Sequence, residues 1–386
     1  MRIAVFGAAG FIGASFVEHL QARGVQEVRP YIHTTGGGWR LARYGLDLRP
    51  VDITDRKQVR DATRGCTHVV NATWGSTDVM HAGLENLLAA SLASGAGRYV
   101  HISSVSVYGD REPGTTLHED AAPTGELTDY GRMKRKQDQR VAAFCRKGLP
   151  CVILAPPNIS GAYSPFLLRV LSAVRKGSLA LVDGGQLPCS LVDVENLAGA
   201  MERALFCDEA DARRIFVTDG DVPTWRDLVE RLAPLAGRPL SIPTVTRAEA
   251  QAITTVPVQR ASLGGTLRSF GSIIAGPGTR AILREDPVLY GGYRFLDERL
   301  PESAKRRLKS LLGPRPESSR QTRAETTDAE LLEVQLRAVR HSCESAKSLL
   351  GYAPALSFAE SMDAFLLWYK VMHGFEGDSW SALSQL

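Results

Sequence analysis

The segment "DYGRMK" at residues 129–134 contains two side chains that could move a proton together. Tyr130 and Lys134 are four residues apart, so on a helix both project from the same face. An ordinary tyrosine has a pKa of about 10, too high for a base at neutral pH, but a neighbouring ammonium favours the phenolate. Tyr130 could then take a proton from an alcohol or return one to a carbonyl. The pair alone is common in helices and is weak evidence for a site.

A second segment, "HISSVSVYG" at residues 101–109, ends a predicted strand with small hydroxyl side chains. A hydroxyl at Ser104, or alternatively at Ser103, could hydrogen-bond the reacting oxygen and hold it against the phenol of Tyr130. Hydroxyl, phenol and amine together predict an acid–base site.

The N-terminal segment "MRIAVFGAAGFIGASFVEHL" predicts a buried strand, a glycine-rich turn and a helix. In this pattern Gly7 permits the tight turn, Gly10 lets the backbone approach a phosphate, and Gly13 lets the helix lie close to the sheet. The helix N-terminus, at Phe11 and Ile12, then directs its free N–H groups at the anion. The pattern predicts a dinucleotide pyrophosphate site; a purely structural turn is the alternative.

The choice of dinucleotide depends on residues 31–43, "YIHTTGGGWRLAR", which contain no acid to accept from a ribose 2′-OH. His33 and Arg40, with Thr34, Thr35 and Arg43 nearby, suit a 2′-phosphate. We therefore expect NADP(H) rather than NAD(H), although these could be ordinary surface residues around an NAD held by backbone contacts. Further cofactor contacts are expected where the next strands end, at Asp52, Ile53, Asn71, Ala72 and Thr73. Trp74, which follows them, could form a wall of the nicotinamide pocket.

Strand-like apolar runs alternate with helix-length segments through residue 157. Uniformly apolar strands indicate a parallel sheet covered on both faces, so the fold class predicted is α/β, a doubly wound Rossmann domain. We expect this domain at 1–157, with the chain returning to it within 187–235, and a smaller α/β substrate lobe over most of 158–386. Within that lobe, about 241–340 is atypically rich in Arg, Pro, Gly and Ser, and 305–323 is expected to be an exposed linker.

Composition restricts the function classes. The chain has 386 residues, a net charge of +4 and six cysteines without a C-x-x-C pair. These values predict neither a nucleic-acid-binding surface nor a metal site. No apolar run approaches the roughly 18 residues of a membrane span, and no signal peptide is evident. A cytoplasmic protein with a small-molecule substrate is expected.

Taken together, the motifs resemble those of the extended short-chain dehydrogenase/reductase family, which includes nucleotide-sugar epimerases and dehydratases. The matching segments are G-x-x-G-x-x-G at 7–13, "VDIT", "NAT", S-S-x-x-x-Y-G at 103–109, Y-x-x-x-K, "ILAPPNISG", "LVDVENLA" and "AKSLLGYAP". The resemblance covers about residues 1–237 and 342–370. It departs from the family at Ala155, where Arg is usual, and at Ser160 in the turn often written N-V-Y-G.

The resemblance implies roles for individual residues. Ser104 becomes the hydroxyl partner, Tyr130 the acid/base, and Lys134 the residue that holds the nicotinamide ribose and tunes the phenol. Pro156 and Pro157 would cover the nicotinamide. Asn158, together with Trp74, Ser104 and Ser106, would meet the substrate. A homodimer through the helices at 82–95 and 130–147 is expected, as in many relatives.

Val105 and Ser106 stand where a dehydratase of this family would place an Asp-Glu pair, which disfavours dehydration. We therefore expect an oxidoreductase acting on a hydroxyl or keto group of a nucleotide-sugar-like or comparable polar metabolite. Two alternatives stay open: an epimerase with permanently retained NAD, and a non-catalytic cofactor-binding sensor.

Overall fold

The computed structural model describes residues 1–109, 115–123, 127–207, 211–236, 241–255, 327–337 and 339–373. Met1–Gln251 and Thr327–Leu386 form one compact unit. A second unit, Ala252–Thr326, is described only at residues 252–255. The linker expected at 305–323 and most of the atypical 241–340 block therefore lie outside the described residues. The expected domain boundary at residue 157 stays a prediction.

Thirteen short strands are present in the described chain: β1 Ile3–Phe6, β2 Val28–Ile32, β3 Arg49–Pro50, β4 His68–Asn71, β5 Arg98–Ile102, β6 Thr116–Leu117, β7 Cys151–Ala155, β8 Asn158–Ser160, β9 Leu181–Val182, β10 Leu191–Asp193, β11 Asp211–Phe216, β12 Thr244–Val245 and β13 Arg340–His341. Seven of them form one parallel sheet in the order β11-β7-β5-β4-β1-β2-β3. The predicted doubly wound parallel sheet is confirmed.

The register of the sheet aligns the carboxyl ends of its central strands. Phe6 at the end of β1 pairs with Asn71 of β4, and Asn71 pairs with His101 of β5. The turns that follow these strands therefore emerge side by side at one edge. This edge is where open parallel sheets bind ligands.

Eleven α-helices lie in the described segments: α1 Phe11–Ala22, α2 Arg56–Thr63, α3 Leu84–Ala93, α4 Asp129–Cys145, α5 Pro165–Lys176, α6 Val194–Leu205, α7 Trp225–Leu232, α8 Arg247–Thr255, α9 Ala329–Leu336, α10 Glu344–Leu350 and α11 Phe358–His373. Helices α1 and α6 cover one face of the sheet, where Phe16 and Met201 join one core cluster. Helices α2, α3 and α4 cover the other face through a second cluster that includes Leu87 and Phe144. The two apolar faces explain why the strands are apolar throughout.

The late part of the chain returns to the first half through a two-residue parallel pairing. Arg340 and His341 of β13 pair with Thr116 and Leu117 of β6. Just before this strand, buried Gln335 of α9 donates to the carbonyl of Ala180 and accepts from the N–H of Val182, both at 2.9 Å. These bonds bring residues 327–337 and 339–341 beside segments far away in sequence.

Candidate active site

A cavity of about 370 Å³, here called the reaction cavity, contains the predicted hydroxyl and phenol side chains. Its walls come from α1, β8, α5, α7, described residues of the β5–α4 connection, and residues 334, 337, 339 and 341. Its lining residues include Phe11, Ser104, Ser106, Tyr130, Pro157, Asn158, Arg337 and His341. The cavity therefore collects residues that the sequence separates by more than 300 positions.

Ser104 takes its position from the turn that follows β5. It is the N-cap of a short 3-10 helix at Val105–Tyr108, and its oxygen accepts from the N–H of Ser106 at 3.2 Å. The adjacent Ser103 is turned away from the cavity, since its hydroxyl donates to the buried carboxylate of Asp138 at 2.9 Å. Of the two serines considered for the hydroxyl role, Ser104 is the one that lines the reaction cavity.

Tyr130 lies in the first turn of α4, where the Thr128 hydroxyl accepts from the N–H of Gly131 and so begins the helix. About a third of its surface is exposed (36%), which leaves the phenol accessible from the cavity. Desolvation raises the pKa of Tyr130, a hydrogen bond with Ser104 opposes this, and the charge of Asp138 raises it further. The phenol alone is therefore a proton donor at neutral pH.

Lys134 lies one turn further along α4 and is 5% exposed. Its ammonium donates to the main-chain carbonyl of Ile102 at 2.9 Å, which fixes it behind the end of β5. Burial lowers the pKa of Lys134 to about 8, while the carboxylate of Asp138 acts in the opposite direction. The amine can consequently change its charge near physiological pH.

A second cavity of about 370 Å³, here called the cofactor cavity, lies at the ends of β1 and β2. The predicted residues Gly7, His33, Ile53, Thr73 and Trp74 all line it. The cavity thus joins the glycine turn to the ends of the neighbouring strands, as a dinucleotide site requires.

The glycine turn has the geometry of a close backbone approach. Gly7 has a φ of +82°, and a Cβ there would lie 2.5 Å from the carbonyl oxygen of Ala72. Gly10 is the N-cap of α1 and offers no side chain to the first N–H groups of the helix. These groups fit a pyrophosphate, so the residues present are compatible with a bound dinucleotide. Phe11 of the same turn lines the reaction cavity, and Ile12 follows it in α1.

The other predicted cofactor residues lie near these cavities with partners of their own. The exposed Asp52 accepts from the N–H and hydroxyl of Thr54, which lowers the pKa of its carboxyl group. Asn71 is buried and accepts from the N–H and hydroxyl of Thr73. The carbonyl of Pro156 accepts from the N–H of Val105 at 3.2 Å, which ties the β7 end to the Ser104 turn.

Arg40, expected at a 2′-phosphate, has a different arrangement. Its guanidinium is 9% exposed, pairs with the carboxylate of Glu18, donates to Ser15 and lies 4.1 Å over the ring of Tyr163. Arg43 pairs with the same carboxylate at 3.1 Å but is 65% exposed. His33 is exposed and, unlike either arginine, lines the cofactor cavity. Of the basic residues predicted for the phosphate, His33 is therefore the best placed.

Sequence reasoning missed part of the reaction cavity. Trp225 of α7 and Phe166 of α5 meet edge to face, with ring centroids 5.8 Å apart, and both line it. Arg337 and His341 line it from the segment that β13 holds. Burial lowers the pKa of His341 to about 4, so its imidazole is neutral. No local pattern marks Arg337 and His341, because the long-range β6–β13 pairing holds their segment beside the site.

The described residues contain no group of three or more His, Cys, Asp and Glu side chains that could hold a metal ion. None of their helices is both long enough and apolar enough to cross a membrane.

Comparison with known proteins identifies the family. Residues 3–217, more than half of the chain, match the model of the NAD dependent epimerase/dehydratase family. The chain belongs to this family. It is therefore an NAD(P)-dependent oxidoreductase or epimerase of the extended short-chain dehydrogenase/reductase type, as the motifs predicted.

Several relatives within the epimerase/dehydratase family are similar over most of their length. A 2-alkyl-3-oxoalkanoate reductase of Stenotrophomonas maltophilia is 30% identical over 62% of this chain and 77% of its own. A 4-hydroxy-2-methyl-3-oxo-4-farnesyl-3,4-dihydroquinoline-1-oxide ketoreductase of Stigmatella aurantiaca is 25% identical over 61% and 74%. The UDP-glucuronic acid 4-epimerase of Bacillus cereus, solved with NAD, has a TM-score of 0.63 at 16% identity, covering 96% of this chain and 99% of its own. That last likeness shows the fold.

Proposed function

We propose that this protein is an NAD(P)H-dependent ketone reductase, with Tyr130 as the acid/base and Ser104 as its hydroxyl partner. The observation that carries the proposal is the convergence of both side chains on one cavity, with Lys134 buried behind them. The intact set argues against a non-catalytic sensor.

The chemistry of the proposed site follows from the protonation states of its side chains. The hydroxyls of Ser104 and Tyr130 would hydrogen-bond the carbonyl oxygen and orient it. A nicotinamide, when bound, supplies the hydride for the carbonyl carbon. Tyr130 would transfer its proton to the oxygen, and the charge of Lys134 would stabilise the phenolate left behind. In the reverse direction the phenolate would accept the alcohol proton.

We also propose that NADP(H) is preferred to NAD(H). The support is the exposed His33 at the cofactor cavity, the absence of an acid in residues 31–43, and the exposed Arg43 nearby in sequence. Arg40 gives this preference less support, because Glu18 and Ser15 already take up its guanidinium.

For the substrate, we propose a ketone with a substantial apolar part, rather than the nucleotide-linked sugar that the motifs first suggested. The described cavity lining is mostly apolar, and its one cation is Arg337, which already pairs with Glu333. A diphosphate would call for several cationic donors. The two reductase relatives carry alkyl and farnesyl groups in the names of their substrates.

The first experiment identifies the cofactor and then the reaction. The purified protein is denatured, any released nucleotide is identified by mass spectrometry, and stripped protein is titrated with NADPH and NADH. An empty site that prefers NADPH, followed by NADPH oxidation with long-chain ketones, supports the proposal. Tightly retained NAD and turnover of sugar nucleotides would favour the epimerase instead. Binding of neither dinucleotide would refute both.

We further propose a homodimer through α3 and α4. These helices lie side by side and are joined by an ion pair of Glu85 with Arg140. Sedimentation should give twice the chain mass of 41.9 kDa. A mass that stays monomeric at all concentrations would refute the dimer.

A further inference from the structure

A buried carboxylate, Asp138, lies one helical turn beyond Lys134 on α4 and has no part in the chemistry above. Its side chain is 2% exposed. One oxygen, Oδ2, accepts from the Ser103 hydroxyl at 2.9 Å and from Nε of Arg214 at 2.6 Å. Ser103 follows β5 and Arg214 belongs to β11. The carboxylate therefore joins two sheet strands to the helix that carries Tyr130.

The second oxygen of Asp138, Oδ1, has no hydrogen-bond partner among the described residues. It lies 3.9 Å from Nε2 of His101, which is likewise without a partner in that part of the chain. Burial, together with the charge of Lys134, holds the pKa of His101 well below its usual value. Because this imidazole is neutral, it does not cancel the charge of Asp138.

Both charged groups around this carboxylate are cations, and its other titratable neighbours are neutral. The titratable and charged groups that interact with it come from α4, β5, β11 and the Ser104 turn, and they are Tyr130, Lys134, His101, Arg214 and Tyr108. Among these, Lys134 and Arg214 are the cations, and the phenols and imidazole are neutral. Burial raises the pKa of Asp138, while Arg214, Ser103 and Lys134 act in the opposite direction and favour its ionised form. The ionised carboxylate would then face both cations.

Removing this anion would leave two cations in a poorly solvated region. An arginine does not lose its proton in proteins, whereas a buried lysine readily does. The amine of Lys134 would therefore release its proton to relieve the repulsion and the cost of burial.

We propose that Asp138 is a positioning residue that keeps Lys134 in its charged form behind Tyr130. The inference rests on the proposed function, since it concerns the charge that would stabilise the Tyr130 phenolate. Ser103 and Arg214 would support this indirectly, because both donate hydrogen bonds to the carboxylate of Asp138 and so favour its ionised form. The first serine of the S-S pair, Ser103, thus supports the helix side of the site, while Ser104 lines the reaction cavity.

The direct test measures the charge of Lys134 without requiring turnover. The protein is labelled with [13Cε]lysine, the Lys134 resonance is assigned by its loss in Lys134→Arg, and its titration midpoint is measured by NMR. Asp138→Asn, which keeps the shape and removes the charge, should lower that midpoint by about one pH unit or more. Asp138→Glu keeps the charge and should leave the midpoint close to that of the wild type. An unchanged midpoint in Asp138→Asn would overturn the proposal.

A second readout is the pH dependence of ketone reduction. The alkaline limb of kcat should move to lower pH in Asp138→Asn and be restored in Asp138→Glu, which a purely structural role would not produce. Should Asp138→Asn fail to fold, Ser103→Ala is measured instead: a smaller downward shift of the Lys134 midpoint supports the proposal, and no shift overturns it. If the wild type reduces no ketone, the proposed function fails, while the NMR titration still decides the role of Asp138.

Discussion

Trp74 and Tyr130 meet edge to face, with ring centroids 5.4 Å apart and planes inclined by 63°. Trp74 lines the cofactor cavity and Tyr130 the reaction cavity, so this contact connects the two. Such pairs contribute about 0.5–1.5 kcal/mol beyond simple burial. The ring that is proposed to transfer the proton is therefore positioned partly by a residue of the cofactor side.

Replacing Trp74 should reduce both turnover and dinucleotide binding. Trp74→Ala is expected to lower kcat by about 3- to 10-fold, in line with the loss of one aromatic contact, and to weaken dinucleotide binding. Trp74→Phe keeps a ring and should recover most of both. Steady-state kinetics and dinucleotide titrations measure the two effects. If Trp74→Ala changed neither, the tryptophan would be an exposed side chain without a role at the site.

Removing the phenolic hydroxyl tests the proton donor. Tyr130→Phe should reduce turnover by at least about 100-fold, the lower range for general acid–base catalysis, with nearly normal dinucleotide affinity. Tyr369→Phe is the matched control, because that hydroxyl binds Arg175 and lines neither cavity. Activity of Tyr130→Phe within a few-fold of the wild type would show that another group donates the proton.

The Glu18 carboxylate offers a test of NADP(H) preference. It pairs with both Arg40 and Arg43, and its charge opposes a nearby phosphate. Glu18→Gln should therefore strengthen NADPH binding by about 3- to 10-fold, as removal of one moderately distant like charge would, with little change for NADH. Glu85→Gln, which breaks the pair with Arg140 on α3, is the control. Equal changes for both dinucleotides would argue against a phosphate at this position.

Gly131 sets the distance between α4 and the Ser104 turn. A Cβ at this position would collide with the carbonyl oxygen of Ser106. Gly131→Ala should displace the turn, lower kcat by roughly tenfold or more and cost about 1–3 kcal/mol of unfolding free energy. In Gly199→Ala, by contrast, the nearest atom would be 4.0 Å away, so this helical substitution should be neutral or stabilising. Equal kinetics and melting temperatures for the two variants would contradict this explanation.

The rate of reduction should depend on pH through Lys134. Its pKa is about 8, lowered from the usual value by burial, so its charge is present below pH 8 and lost above it. Tyr130 keeps its proton over this range, because its pKa is raised. We expect kcat for reduction to fall as pH rises through about 8. Lys134→Arg should remove that fall, since a guanidinium stays charged. If the pH profile of Lys134→Arg matched that of the wild type, the fall in kcat would belong to another titrating group.

The sequence predicted those features that depend on short-range spacing. The glycine turn, the hydroxyls after β5 and the Tyr130/Lys134 pair each lie within one strand, turn or helix, so local periodicity was sufficient to locate them. The parallel sheet was predictable because its strands are apolar on both faces. Which of the predicted residues act in catalysis and binding stays a prediction.

Long-range contacts were not predictable in the same way. The partner of Arg40 is Glu18, 22 positions earlier on α1, and nothing in the intervening sequence indicates the pairing. Ser103 hydrogen-bonds Asp138 of α4, which also accepts from Arg214 of β11, and both partners are distant from Ser103 in sequence. Side chains that are chemically suited to bind a ligand can thus be engaged instead in hydrogen bonds and ion pairs within the protein.

The pairing of β6 with β13 has a consequence for synthesis of the protein. Thr116 is opposite Arg340, so the ribosome must add 224 residues before this pair can form. At about 5–20 residues per second, that interval is roughly 10–45 s. The glycine turn and Ser104 are made before this interval and Tyr130 early within it, whereas Arg337 and His341 are added only around its end. A nascent chain can therefore complete β1 to β5 and the start of α4 well before the cavity wall that contains Arg337 and His341 exists.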